Sequence, residues 1–143
     1  MSLLIRKYIA TDREEVVKLW TTIFDESTGH NDPGRSIDRK TAACDGLFFV
    51  AVAGRALVGT IMAGYDGHRG WLYSLAVAPN FQRQGIGSKL VEKAESALAQ
   101  LGCPKINLQI RADNLGVTAF YNSLGFENEE RISMGKRTIH ANS

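Results

Sequence analysis

Apolar and polar positions alternate at the start of the chain, where Leu3, Ile5 and Tyr8 mark a first strand. Thr11 and Glu14 have the S/T-x-x-E spacing of a capping box, so a helix is expected to open there. Val16, Val17, Leu19, Trp20, Ile23 and Phe24 recur at helical spacing and carry its buried face to about Asp25. Glu26 to Arg35, with Gly29, Asn31, Asp32, Pro33 and Gly34, reads as a loop before a short second helix from Ser36 to Ala43. Leu47 to Ala53 and Ala56 to Ala63 read as strands around Gly54 and Arg55, a two-residue hairpin connection. A turn over Asp66 to Gly70 then leads to a strand from Trp71 to Val77, giving three antiparallel strands in succession.

Further along, Leu90, Val91, Ala94, Ala97, Leu98 and Leu101 hold one face of a helix, with Lys89, Glu92, Lys93, Glu95 and Gln100 on the other. Gly102 and Pro104 end it. Lys105 to Arg111 alternates, with Ile106, Leu108 and Ile110 on one face, and the helical crossover makes this strand parallel to the one before it. Asp113 or Asn114 is placed to cap a helix through Leu124, stopped by Gly125, and Glu127 to Ile139 has room for one or two closing strands. The expected architecture is a mixed α/β domain in the order β-α-α-β-β-β-α-β-α-β(-β), not a doubly wound parallel sheet.

Composition narrows the function. A chain of 143 residues, 44% hydrophobic and 22% charged, fits one domain over residues 1–143 with a single core. The net charge of +2 and the absence of any run of like charges argue against nucleic acid and for a small partner. Only Leu3 to Ile5 is apolar before Arg6 and Lys7, and no later stretch has the length of a membrane span, so a cytoplasmic protein away from membranes is expected. Cys44 and Cys103 lack metal-knuckle or redox spacing and read as reduced structural thiols, with no metal site.

Two stretches carry candidate chemistry. In "AVAPNFQRQGIGSKL", Ala76 to Leu90, a dinucleotide fingerprint would need a third glycine where Leu90 stands, and a phosphate loop would need Gly-Lys before Ser or Thr rather than Gly87-Ser88-Lys89. What remains is a Q-x-x-G-x-G turn, Gln82 to Gly87, at the free end of a strong helix, with Arg83 and Lys89 nearby. Unsatisfied amides and the helix dipole make such an end an anion site, unless the glycines serve only a tight turn. In "ADNLGVTAFYNSLGF", Asn114 and Tyr121 stand seven residues apart and share a helical face, while Phe120 is placed to pack into the core. A tyrosine on an apolar face is by itself an ordinary core residue; beside the glycine turn it becomes a candidate for chemistry.

At these residues the sequence resembles the GNAT superfamily of acyl-CoA-dependent N-acetyltransferases. The resemblance runs through nearly the whole order of elements and is densest over "LAVAPNFQRQGIG" and over Asn114 to Phe126. The stretches "GHRGWLYSLAV", "GCPKINLQIRADN" and "SMGKR" are similar to the small bacterial YpeA-type branch. Gln82 stands where arginine is more usual, and Val117 where peptide N-terminal acetyltransferases tend to carry alanine. The resemblance implies a fold whose central strands splay to admit CoA. Leu75, Ala76 and Val77 would then lie along the pantetheine arm, and Gln82, Arg83, Gln84, Gly85, Ile86, Gly87 and Ser88 would cradle the pyrophosphate. It implies that an N–H near Leu75 stabilises the oxyanion, that Asn114 positions the arm or its water, and that Tyr121 protonates or hydrogen-bonds the CoA sulfur.

Trp71 to Val77 contains no acid, so the base is expected to be a water chain or one of His30, Asp32, Asp66, His68 and Glu127. The loop Ser27 to Arg35 and the turn Asp66 to Gly70 are expected to select the acceptor, with Asp32 and Asp66 drawing in a cationic amine. The implied activity is acetyl-CoA-dependent N-acetyl transfer to a primary amine of a small molecule or peptide, by direct attack in a ternary complex. Acetyl-CoA is the donor substrate, no metal takes part, and the protein is expected to be a monomer or homodimer. The alternative is a non-catalytic acyl-CoA-binding or sensing module of the same fold.

Overall fold

The computed structural model describes residues 2–24 and 32–139. In chain order they form β1 (Leu3–Lys7), a 3-10 turn (Ala10–Asp12), α1 (Arg13–Phe24), α2 (Pro33–Ala43), β2 (Phe48–Ala53), β3 (Ala56–Tyr65) and β4 (Gly70–Val77). A second 3-10 turn (Pro79–Phe81), α3 (Ile86–Gln100), β5 (Ile106–Asn107) and α4 (Leu115–Ser123) follow. The sheet order is β1-β2-β3-β4-β5, antiparallel up to β4 and parallel between β4 and β5.

Strand parity sorts the core into two layers. Phe48 and Val50 of β2 face one way and pack with Val16, Leu19 and Trp20 of α1 and Ile37 of α2. Phe49 and Ala51 face the other and pack with Leu90, Val91, Ala94 and Leu98 of α3 and with Tyr121 of α4. Helices therefore cover both faces of the sheet.

Several boundaries differ from expectation. Helix α1 begins at Arg13, and the cap is not the Thr11-Glu14 box: Asp12 accepts from the Ile9 N–H at 2.9 Å and from both terminal nitrogens of Arg6 at 2.8 and 2.9 Å. A carboxylate that can satisfy a backbone amide and a guanidinium together outcompetes a hydroxyl cap. Helix α2 starts three residues early because Asp32 caps it, accepting from Arg35 N–H at 3.1 Å, and Pro33 occupies the first helical position. The Asp-Pro pair was a legible start signal. The Gly54-Arg55 hairpin is as expected, with Gly54 at φ +62°.

Strand β5 has two paired residues instead of seven, Gly70 opposite Ile106 and Trp71 opposite Asn107. Beyond Trp71, β4 is bulged against β3, which disrupts its regular ladder geometry, and the parallel pairing with β5 does not continue. The expected closing strands are missing: residues 127–139 form no ladder among the described residues. They are tied to the neighbouring segment by side chains, with Glu129 accepting from Lys105 and from Asn107 (2.9 Å) and Gln109 Nε2 donating to Ser133 Oγ (2.5 Å). A two-residue β5 offers too short a template for further pairing, and Ile132 and Met134 stay exposed. No described helix is long and apolar enough to cross a membrane.

Candidate active site

The site is built on the edge that β5 leaves open. Leu72 and Leu75 both pack toward α3, three residues apart, which a regular strand cannot do. The register explains it: Met62 pairs with Tyr73 but Thr60 pairs with Ala76, so β4 carries one extra residue. Ser74 takes the left-handed conformation, φ +51°, that accommodates the bulge. Ala78 N–H bonds to the Val58 carbonyl on β3 at 2.8 Å. By alternation, the backbone groups of Val77 then point away from β3, toward the side where β5 has diverged.

The glycine turn follows directly. Arg83 and Gly85 both have positive φ, +63° and +82°, the left-handed conformation from which anion nests are built. Gly85 is the N-cap of α3, no side chain caps the helix, and the first intrahelical bond runs from Lys89 N–H to the Gly85 carbonyl. The amides of Ile86, Gly87 and Ser88 therefore lack intrahelical partners.

The two glycines have different reasons. Nothing lies within 4 Å of a Cβ added at Gly85, so its need is conformational, whereas a Cβ at Gly87 would stand 3.3 Å from Phe120 Cζ, so its need is close packing with α4. Gln82 and Gln84 do not reach outward. Gln82 Nε2 donates to the Val77 carbonyl at 2.9 Å, and Gln84 Nε2 to the Asn80 carbonyl at 3.4 Å. Both amides brace the turn.

Asn114 is exposed and caps α4, accepting from Val117 N–H at 3.2 Å. Tyr121 is 7% exposed, two turns further along the same helix. The Tyr121 ring packs edge-on to Phe120 (5.0 Å) and Phe126 (5.5 Å). Burial alone pushes its phenol up to about 12. Tyr121 also lines an open groove with Leu108, Ile110, Thr118 and Ile132, and no residue from 75 to 88 lines that groove. The link from Tyr121 to the glycine turn is the Phe120-Gly87 contact.

Among the candidate bases, Asp66 is held below the usual carboxylate range by the Arg69 and His68 amides, both 2.7 Å from Oδ1. Asp32 is occupied as the α2 cap, and Glu127 is exposed. His30 and most of the Ser27 to Arg35 loop lie outside the described residues. No group of three or more His, Cys, Asp or Glu that could hold a metal is present among the described residues. Sequence reasoning missed Ser74, Thr60 and Trp20, which shape the bulge; the only signal was the three-residue spacing of Leu72 and Leu75 inside a strand.

An open strand edge running into an uncapped helix end is the central feature of the site. The model of the acetyltransferase (GNAT) family matches residues 13–126, and the chain belongs to that family. Acetyltransferase YE1169 of Yersinia enterocolitica is 42% identical over 135 residues, 94% of this chain and 95% of the relative. An acetyltransferase of Yersinia pestis strain Pestoides F is 40% identical over the same coverage. The protein is accordingly an N-acetyltransferase.

Solved structures share the fold at low identity. AAC(6')-Iy in complex with the bisubstrate analogue CoA-S-monomethyl-acetylneamine has a TM-score of 0.78 at 20% identity, covering 97% of this chain and 100% of that one. The PaiA N-acetyltransferase of Thermoplasma acidophilum in complex with coenzyme A has a TM-score of 0.79 at 21% identity, covering 92% and 94%.

Proposed function

We propose that this protein transfers the acetyl group of acetyl-CoA to a primary amine of a small molecule or peptide by direct attack in a ternary complex. The carrying observation is the unpaired edge of β4 that ends at the Arg83-Gly85 nest and the uncapped start of α3. Acetyl-CoA is the donor substrate. Its pantetheine arm would add to the edge at Leu75 and Val77 as a strand adds to a sheet. The Val77 carbonyl already accepts one bond from Gln82, which leaves its second lone pair and the Val77 N–H for the arm. The pyrophosphate would take the amides from Arg83 to Ser88, with Asn114 beside the arm. The resemblance to YpeA-type proteins belongs to this reading.

Attack by a neutral amine puts negative charge on the thioester oxygen, and the Leu75 N–H beside the bulge would receive it. In this reading Tyr121 would approach the departing sulfur as a neutral phenol from the α4 side, across the Phe120-Gly87 contact. Full proton transfer from a phenol near 12 to a thiolate of about 8.5 would be uphill by roughly 5 kcal/mol, so Tyr121 serves by hydrogen-bond donation. The proton the sulfur finally keeps comes from the new ammonium or from solvent. With Asp66 held ionised and Asp32 capping a helix, a water chain is the base this reading uses.

The test is thermal unfolding with CoA, acetyl-CoA, ATP and NAD in turn, since a ligand of the native state must raise the midpoint. Stabilisation by the two CoA ligands alone is expected, followed by thiol release from acetyl-CoA in a panel of primary amines. No shift with either CoA ligand would overturn the reading.

A further inference from the structure

Thr60 is fully buried in the middle of β3, and among the described residues Asp12 is the one other buried residue of the polar and charged types. Its hydroxyl accepts from Trp20 Nε1 at 2.8 Å and donates to the Ser74 carbonyl at 3.0 Å. Ser74 is the residue whose positive φ makes the β4 bulge, and neither Ser74 nor Leu75 has a ladder partner on β3. The Ser74 carbonyl and the Leu75 N–H belong to one planar trans peptide, so they point in opposite directions. Holding the carbonyl against Thr60 therefore turns the Leu75 N–H away from β3, into the open edge.

We infer that Thr60, backed by Trp20, is a positioning residue that aims the Leu75 amide at the thioester carbonyl of the bound donor. The inference rests on the acetyl-CoA reading and extends it through the sheet to α1. Trp20 matters because a lone hydroxyl can rotate among acceptors. With the indole N–H occupying one lone pair, the hydroxyl proton is left to the Ser74 carbonyl. The tryptophan is 2% exposed and stacks on Phe48 at 5.9 Å, so its own position is set by the core between α1 and the sheet. No acid or base is needed for this role; the relay fixes a direction.

The experiment reads the carbonyl itself and needs no acceptor amine. Acetyl-CoA labelled with 13C at the thioester carbonyl is bound to the wild-type protein, and the carbonyl resonance is compared with that of free acetyl-CoA. A hydrogen bond from Leu75 moves it downfield. Thr60→Val keeps the side-chain shape but loses both bonds, and is expected to remove roughly half or more of the displacement while CoA still binds with wild-type affinity. Thr60→Ser restores the hydroxyl and is expected to restore the displacement. Trp20→Phe keeps Thr60 but frees its rotor, so a smaller loss of the same sign is expected, and it carries the test if Thr60→Val does not fold. A full displacement in the folded variants would overturn the inference and leave the donor site standing. Absence of a displacement in wild-type protein that binds acetyl-CoA would overturn it equally. Failure of the wild type to bind acetyl-CoA would sink the proposed function, and the inference with it.

Discussion

Phe120 closes on the backbone of Gly87: a Cβ at residue 87 would lie 3.3 Å from the ring tip, tighter than ordinary contact. This one approach joins the turn that opens α3 to the helix that carries Tyr121. The cost of filling it can be measured. Gly87→Val is expected to lower stability by about 1–3 kcal/mol through overpacking. Adding Phe120→Ala should recover part of that loss, because neighbouring changes couple. Denaturant midpoints of the two singles and the double check this, and strict additivity would mean that the two residues do not meet.

Gly85 tests conformation without sterics. At φ +82° with open space around it, Gly85→Ala meets no neighbour but must hold a left-handed backbone. About 1–2 kcal/mol of destabilisation is expected, together with weaker CoA binding as the nest relaxes. Unchanged affinity measured by calorimetry would remove the turn from the phosphate site.

Tyr121→Phe is expected to lower kcat about tenfold to a thousandfold while leaving CoA affinity intact. Its raised pKa also makes a stability prediction. The unfolded phenol ionises near 10 and the folded one near 12, so the folded state holds its proton longer. That contribution is intact below pH 10 and is lost as pH rises toward 12, by about 3 kcal/mol. Alkaline unfolding should be correspondingly shallower in Tyr121→Phe, and identical alkaline limbs would count against a buried phenol.

Asp12 works in the opposite direction. The Arg6 guanidinium and the Ile9 amide hold its carboxyl below the usual range. Its contribution is therefore complete above the unfolded value of about 3.9 and disappears as pH falls through the lowered folded value. Asp12→Asn is expected to cost about 2 kcal/mol at neutral pH, and the gap to wild type should close in acid. A gap independent of pH between 2 and 7 would show that the ion pair contributes nothing.

The strongly periodic elements were legible in the sequence. Helix α3 was read from Leu90, Val91, Ala94 and Leu98, the β2-β3 hairpin from Gly54, and the turn before α3 from Gly85, because each depends on neighbours within a few residues. The Asp32-Pro33 start of α2 was equally local and could have been read. The short β5 and the unpaired tail could not, since pairing depends on where the partner strand goes.

What the sequence determined by itself is the order of elements as far as α4, the open turn with its positive-φ glycine, and the tyrosine on the last helix. These are set by periodicity and local dihedral demands, while the family is carried by the motifs around the turn and the last helix. Only the tertiary structure decided that Gly87 is small because Phe120 lies on it, that Gln82 braces Val77 instead of facing outward, and that Trp20 and Thr60 hold the Ser74 carbonyl from across the sheet. Trp20 and Thr60 are 40 residues apart in the chain. No pattern of spacing encodes that bond; it exists because α1 packs over β3 and leaves an indole N–H beside a buried hydroxyl, where an unpaired donor would be costly.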